Sequence, residues 1–204
     1  MLTKNQSEIL MLYRKDIFLS KTIREISIML NKSYPKVFEA IKSLEKENII
    51  SIRKAGKSSI CEINPNERTI GLLSTIESEL LSERKDLPLN NINKITNKIK
   101  SPFYILIICG SYAEGKQKST SDLDIAIIIP DSEDKKHYPI VLKEGELMIP
   151  EVHGYVFNKE EFHQMLINEE FNYGKELVKK HIIYYGAEQY YKILFGAMKN
   201  GFKI

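Results

Sequence analysis

Two strand-length runs constrain this chain most: the continuous apolar Phe103-Tyr104-Ile105-Leu106-Ile107-Ile108-Cys109, and Leu123-Asp124-Ile125-Ala126-Ile127-Ile128-Ile129, apolar except for Asp124. Each has the length of a strand and is rich in β-branched residues, and neither alternates apolar with polar. Such runs fit strands buried on both faces of a sheet. Pro130 ends the second run. A third strand is expected over Leu147 to Phe157, interrupted by Pro150 and Gly154. Helical spacing predicts helices over Leu89 to Lys100, Glu160 to Ile167, Tyr173 to Ile183 and Glu188 to Ala197.

The residues ahead of this sheet follow a different rhythm. Ile9, Leu10, Leu12, Tyr13 and Ile17 recur at helical spacing behind Lys4 to Glu8. Thr22 with Glu25 forms a capping-box pattern in front of Ile23, Ile26, Ile28, Met29 and Leu30. After Asn31 and Lys32, Ser33 is placed to cap a third helix with Pro35 in its first turn and Val37, Phe38, Ile41 and Leu44 as its apolar stripe. Two further apolar runs, Ile49-Ile50-Ile52 and Ile60-Cys61-Ile63, flank Arg53-Lys54-Ala55-Gly56-Lys57-Ser58 and read as a hairpin with a basic turn. Ile70 to Leu81 reads as a connecting helix and Glu83 to Pro88 as a polar linker.

Three helices followed by a basic hairpin resemble a winged helix-turn-helix domain, as does Leu44-Glu45-Lys46-Glu47-Asn48-Ile49-Ile50 before the wing. Charge agrees with that resemblance. Over Met1 to Ile70 there are thirteen Lys or Arg against eight Asp or Glu, a surplus of +5, whereas the remainder has seventeen against nineteen, or −2. Such asymmetry marks a nucleic-acid-facing segment joined to something else. Ser33, Tyr34, Lys36 and Lys42 on the recognition helix would face base edges, and Arg53, Lys54 and Lys57 on the wing would meet phosphate.

At 43% hydrophobic and 28% charged, the 204 residues have the composition of a globular protein rather than a disordered or collagen-like one. No run of eighteen apolar residues is present and the polar N-terminus lacks a signal-peptide core, so a cytoplasmic protein with no membrane partner is expected. Cys61 and Cys109 stand too far apart in sequence for a zinc spacing or a disulfide framework and read as small buried hydrophobes.

The chemistry concentrates between the two apolar runs. Gly110-Ser111 closes the first strand ahead of a helix, where backbone N–H groups and a small hydroxyl can meet phosphate oxygens and only glycine permits so close an approach. Ten residues later, Asp122 and Asp124 stand at i and i+2 on a strand, so their carboxylates share one face. Two such anions repel unless a hard cation lies between them, and oxygen ligands together with substrate phosphates suit Mg²⁺. Lys116 and Lys118, in the intervening loop, are candidates to hold a triphosphate.

This pattern is similar to the GSx10DxD signature of nucleotidyltransferases of the DNA polymerase β superfamily, and the length of about 115 residues most resembles the minimal MNT-type members. The resemblance implies an α/β (α+β) chain with three parts: a winged helix-turn-helix over residues 1–66, a connecting helix and linker over 67–87, and over 88–204 a nucleotidyltransferase fold with a small mixed sheet flanked by helices. It implies Mg²⁺-dependent transfer of a nucleoside monophosphate from an NTP, with ATP as the expected donor. It also implies phosphate contact by Gly110 and Ser111, metal ligation by Asp122 and Asp124, and a third carboxylate on a later strand. Glu151 is the only acid in that strand, although the spacing to Glu160-Glu161-Phe162 places His153 nearer the family position. Family members suggest a protein acceptor such as a HEPN-class toxin, with antitoxin activity; an RNA acceptor and a non-catalytic DNA-binding regulator stay open. So small a domain requires a partner, a homo-oligomer or the winged helix for acceptor recognition.

Overall fold

In the computed structural model, which describes residues 2–56 and 58–203, Thr3 opens the first helix, α1 (Lys4–Lys15). Its hydroxyl accepts from the Gln6 N–H at 3.3 Å, while Gln6 Oε1 accepts from the Thr3 N–H at 2.8 Å. Strand β1 (Lys21–Thr22) leads into α2 (Ile23–Met29), and the expected Thr22/Glu25 capping box forms there. Ser33 takes the N-cap position of α3 (Tyr34–Lys46) with Pro35 beside it, but its side chain makes no capping hydrogen bond. The hairpin is β2 (Ile50–Ala55) and β3 (Ser58–Ile63), paired from Ile50↔Ile63 to Ala55↔Ser58. The two residues of β1 join its edge through Lys21↔Cys61 and Thr22↔Ile60. Ile9, Leu10, Tyr13, Ile26, Val37, Ile41 and Leu44 are buried between the helices and the hairpin. The result is a winged helix-turn-helix. Wing residue Lys57 lies outside the described residues.

Helix α4 (Glu67–Glu83) follows, and contacts divide the chain into two units, Met1–Ile76 and Glu77–Ile204. The second unit comprises α5 (Leu89–Thr96), β4 (Ile105–Ile108), α6 (Gly110–Glu114), β5 (Leu123–Ile129), α7 (Tyr138–Gly145), β6 (Val152–Asn158), α8 (Lys159–Ile167), α9 (Tyr173–Lys179), β7 (Ile182–Tyr185) and α10 (Ala187–Lys199). Its four-stranded sheet has the order β6-β5-β4-β7, with β5 and β6 parallel and the other pairs antiparallel.

Both apolar runs occupy the central strands, as their composition requires. On one face Leu106, Ile108, Leu123, Ile125, Ile127, Ile129 and Val152 pack with Ile92 and Ile95 of α5 and with Tyr138 of α7. On the other, Ile105, Ile107, Ala126 and Ile128 are buried beneath α8 and α10. Asp122 and Asp124 share that second face.

Three expectations are corrected. The helix expected over Tyr173 to Ile183 stops at Lys179, and Ile182–Tyr185 is the edge strand β7. The strand expected from Leu147 begins at Val152; Leu147 and Ile149 are 86% and 95% exposed in a loop ending at the cis Ile149–Pro150 bond, so their hydrophobicity does not mark a strand core. The helix expected through Lys100 ends at Thr96. Among the described residues, no helix is long and apolar enough to cross a membrane.

Candidate functional site

Gly110 turns the chain from β4 into α6 with φ +63°, a left-handed conformation that costs other residues dearly. Its bare Cα faces the acidic pair. A Cβ built there would lie 2.3 Å from Asp124 Oδ2 and 3.2 Å from Asp124 Cγ. Strand pairing fixes this approach, because the Cys109 N–H donates to the Asp124 carbonyl at 2.9 Å. The glycine that opens the helix and the second aspartate of the pair are therefore packed against each other.

The Asp124 carboxyl is half-buried, and among the described residues no hydrogen-bond donor meets it. Burial raises its pKa, the nearby His153 lowers it and Asp122 raises it. A half-buried carboxylate beside another and with no donor is a site that a cation relieves. Asp122 is exposed, 3.9 Å from His153 Nδ1. Parallel pairing sets His153 level with Asp124, whereas Glu151 precedes β6 and its carbonyl accepts from the Leu123 N–H at 2.8 Å. Glu151 reaches back to His153, with Oε1 2.9 Å from Nε2. That hydrogen bond is the main cause holding the imidazole above its usual pKa, assisted by the charges of Glu151, Asp122 and Asp124. As the side chains stand, no three His, Cys, Asp or Glu groups among the described residues converge on one point. Asp124 lines a cleft beside Gly110 and Asp122 does not, while His153 stands between Asp122 and Glu151.

A cleft of about 330 Å³ opens beside Gly110, Ser111 and Asp124. Lys116 lines it, and Lys118 does not; the Lys118 N–H instead closes a turn on Ser121 Oγ at 2.8 Å. Sequence reasoning missed Lys180, which also lines the cleft. Glu114 Oε1 sits between Lys180 and Lys116, 3.2 and 3.3 Å from their ammonium groups, and these two hydrogen bonds, Lys180 first, hold Glu114 below the ordinary carboxylate range. Tyr155, Tyr173, Glu176 and Leu177 also line the cleft. The Tyr173 hydroxyl is 3.3 Å from Cys109 Sγ, and burial pushes the Cys109 thiol up to about 12.

One support lies behind α6. Arg84 Nη2 donates to the Tyr112 carbonyl at 2.5 Å and Nη1 to the Ala113 carbonyl at 3.4 Å. Asp86 clamps Arg84 from the other side at 2.7 Å and accepts from Gln117 Nε2 at 2.7 Å. The Arg84 hydrogen bond is the first cause that holds Asp86 down at about 2. The polar linker thus anchors the helix that begins at Gly110.

In the first unit, Ser33, Tyr34 and Lys36 are exposed at the start of α3. Lys42 pairs with Glu45 at 2.7 Å, Arg53 pairs with Glu62 at 3.2 Å, and Lys54 is exposed on the wing. Tyr34 stacks on Phe38 with ring centroids 5.9 Å apart.

A glycine-turned strand-to-helix junction thus lies against the second of two carboxylates on the adjacent strand of an α/β sheet. Residues 89–177 match the family model of the nucleotidyltransferase domain. A search of curated proteins gave no significant match. Among solved structures, the adhesin competence repressor AdcR of Streptococcus pyogenes is 26% identical over 48% of this chain and 69% of its own, with a TM-score of 0.33. A toxin-antitoxin crystallised with AMP-PNP is 17% identical over 56% of this chain and 88% of its own, with a TM-score of 0.38.

Proposed function

We propose that this chain is a Mg²⁺-dependent nucleotidyltransferase that moves AMP from ATP to a hydroxyl of a protein or RNA acceptor. In this reading residues 88–204 carry the chemistry, 67–87 connect, and 1–66 bind DNA. The observation that supports it most is the close approach of the Asp124 carboxylate to Gly110, where a Cβ would lie 2.3 Å from Oδ2; in this reading phosphate and cation would bind side by side there. Asp122 and Asp124 would hold Mg²⁺, which would supply charge neutralisation at the phosphates and the leaving pyrophosphate. Gly110 admits the phosphates to the backbone, Ser111 offers its hydroxyl, and Lys116 with Lys180 meets the triphosphate once Glu114 releases them. Glu151 orients His153 beside Asp122, on the side where an acceptor hydroxyl would give up its proton.

The motif's resemblance to MNT-type proteins supports an antitoxin role with a HEPN-type toxin as acceptor. The same resemblance, with so small a domain, supports homo-oligomer formation. A second reading, a DNA-binding regulator that senses nucleotide without turnover, draws on one observation: His153 rather than a carboxylate stands level with Asp124. Incubating the protein with each of the four α-labelled NTPs, Mg²⁺ and lysate from its source separates the two. Label on a protein or RNA supports transfer and identifies the acceptor class; nucleotide binding without any labelled product supports the sensor.

A further inference from the structure

Tyr155 is 55% exposed on β6, two residues beyond His153 and on the same face. It is not a stray surface aromatic. Its ring lies 5.2 Å from Tyr173 at 58° and 6.5 Å from Phe157 at 17°, and Phe157 and Tyr173 are 5.8 Å apart. Tyr173 is tied in turn to the residue before Gly110 through its 3.3 Å contact with Cys109 Sγ. The lining of the cleft therefore combines polar and charged groups, Ser111, Lys116 and Lys180 among the carboxylates of Glu114, Asp124 and Glu176, with a braced and exposed aromatic ring. Lysine ammonium groups and an aromatic platform lining one cleft of about 330 Å³ match the two ends of a nucleotide.

We propose that Tyr155 is the platform on which the donor's nucleobase stacks, making the cleft selective for purine over pyrimidine nucleoside triphosphates. The proposal rests on the nucleotidyltransferase reading and adds the basis of donor choice. Stacking strength grows with ring area, so a bicyclic base gains more from Tyr155 than a monocyclic one. Tyr173 and Phe157 act as positioning residues, holding the platform at a fixed distance from the phosphate end.

The test is calorimetric titration of the 204-residue chain, in Mg²⁺, with the α,β-methylene analogues of ATP, GTP, CTP and UTP and with inorganic tripolyphosphate. The expected result is tighter binding of both purine analogues, weakened about tenfold by Tyr155→Ala and kept within about twofold by Tyr155→Phe, which retains the ring. Tripolyphosphate affinity should be the same in all three proteins. Equal affinities for the four analogues would overturn the platform and leave the nucleotidyltransferase reading standing, as would a Tyr155→Ala loss equal for tripolyphosphate. Failure of every analogue to bind the unaltered chain would overturn the underlying reading and the platform with it. Unchanged thermal melting of Tyr155→Ala keeps a folding defect from imitating the result.

Discussion

Replacing Gly110 by alanine tests the packing on which the site is built. The added Cβ would meet Asp124 Oδ2 at 2.3 Å, and ordinary contact begins at 3.4 Å, so the carboxylate must retreat by about 1.1 Å or turn away from the cleft. Displacements of about 1 Å in a catalytic constellation cost on the order of 100-fold in rate. The left-handed φ of +63° adds about 1–2 kcal/mol of backbone strain for any side chain, which in a chain this size lowers Tm by roughly 2–8 °C. Gly196→Ala is the control. It lies in α10 with nothing within 4 Å of the position its methyl would take, and should stabilise by about 0.5–1 kcal/mol. Thermal melting measures the strain, and Mg²⁺-dependent binding of a nonhydrolysable ATP analogue measures the site. Full nucleotide binding and an unchanged melt in Gly110→Ala would refute the packing argument.

Arg84→Ala should free the carbonyls of Tyr112 and Ala113 and cost about 1–2 kcal/mol, read by chemical denaturation. Because Asp86 sits at about 2 against an ordinary 3.8, its stabilising effect is complete above pH about 4 and fades as pH falls toward 2; Asp86→Asn should flatten that part of the acid denaturation curve. Asp86 is 39% exposed, which limits the effect to about 1 kcal/mol. Tyr191→Phe removes the hydroxyl that donates to the buried Glu77 at 2.8 Å and should destabilise by about 1–3 kcal/mol, visible as a drop in Tm. In the winged helix, Lys54→Ala should weaken duplex binding evenly across sequences and reduce the salt slope by about one in a titration of log K against log salt. Binding that ignores salt would exclude a phosphate-contacting wing.

The central sheet was legible because β4, and β5 from Ile125 onward, are apolar without interruption, a pattern that fits a doubly covered strand. The capping box at Thr22 announced α2, and the glycine in the basic turn announced the wing. Other elements left weaker traces. Apolar spacing runs through Leu177, Val178, Ile182 and Ile183 from helix into strand with no glycine or proline between them, so the onset of β7 was invisible. Leu147 and Ile149 imitate a strand while lying in solvent. Gly110, Ser111, Asp122 and Asp124 stood out through their spacing. Lys180, Tyr155 and Tyr173 reach the same cleft only because α9 and β6 fold onto it, and Arg84 looked like an ordinary linker charge until its guanidinium met the end of α6. The contest between Glu151 and His153 was visible in the spacing, and strand register shows the geometry behind it: His153 is level with Asp124, and Glu151 reaches the site through a hydrogen bond to that ring.

The most direct test of the nucleotidyltransferase reading is transfer of label from α-labelled ATP in the presence of Mg²⁺ and source lysate, compared among the unaltered chain, Asp122→Asn and Asp124→Asn. Each neutral amide keeps the volume and removes the charge a cation needs. Label should appear on one class of macromolecule with the unaltered chain and fall by at least about 1000-fold in each variant, with melting temperatures unchanged or raised by relief of carboxylate repulsion. Transfer that survives both substitutions would contradict a cation-dependent reaction at this acidic pair.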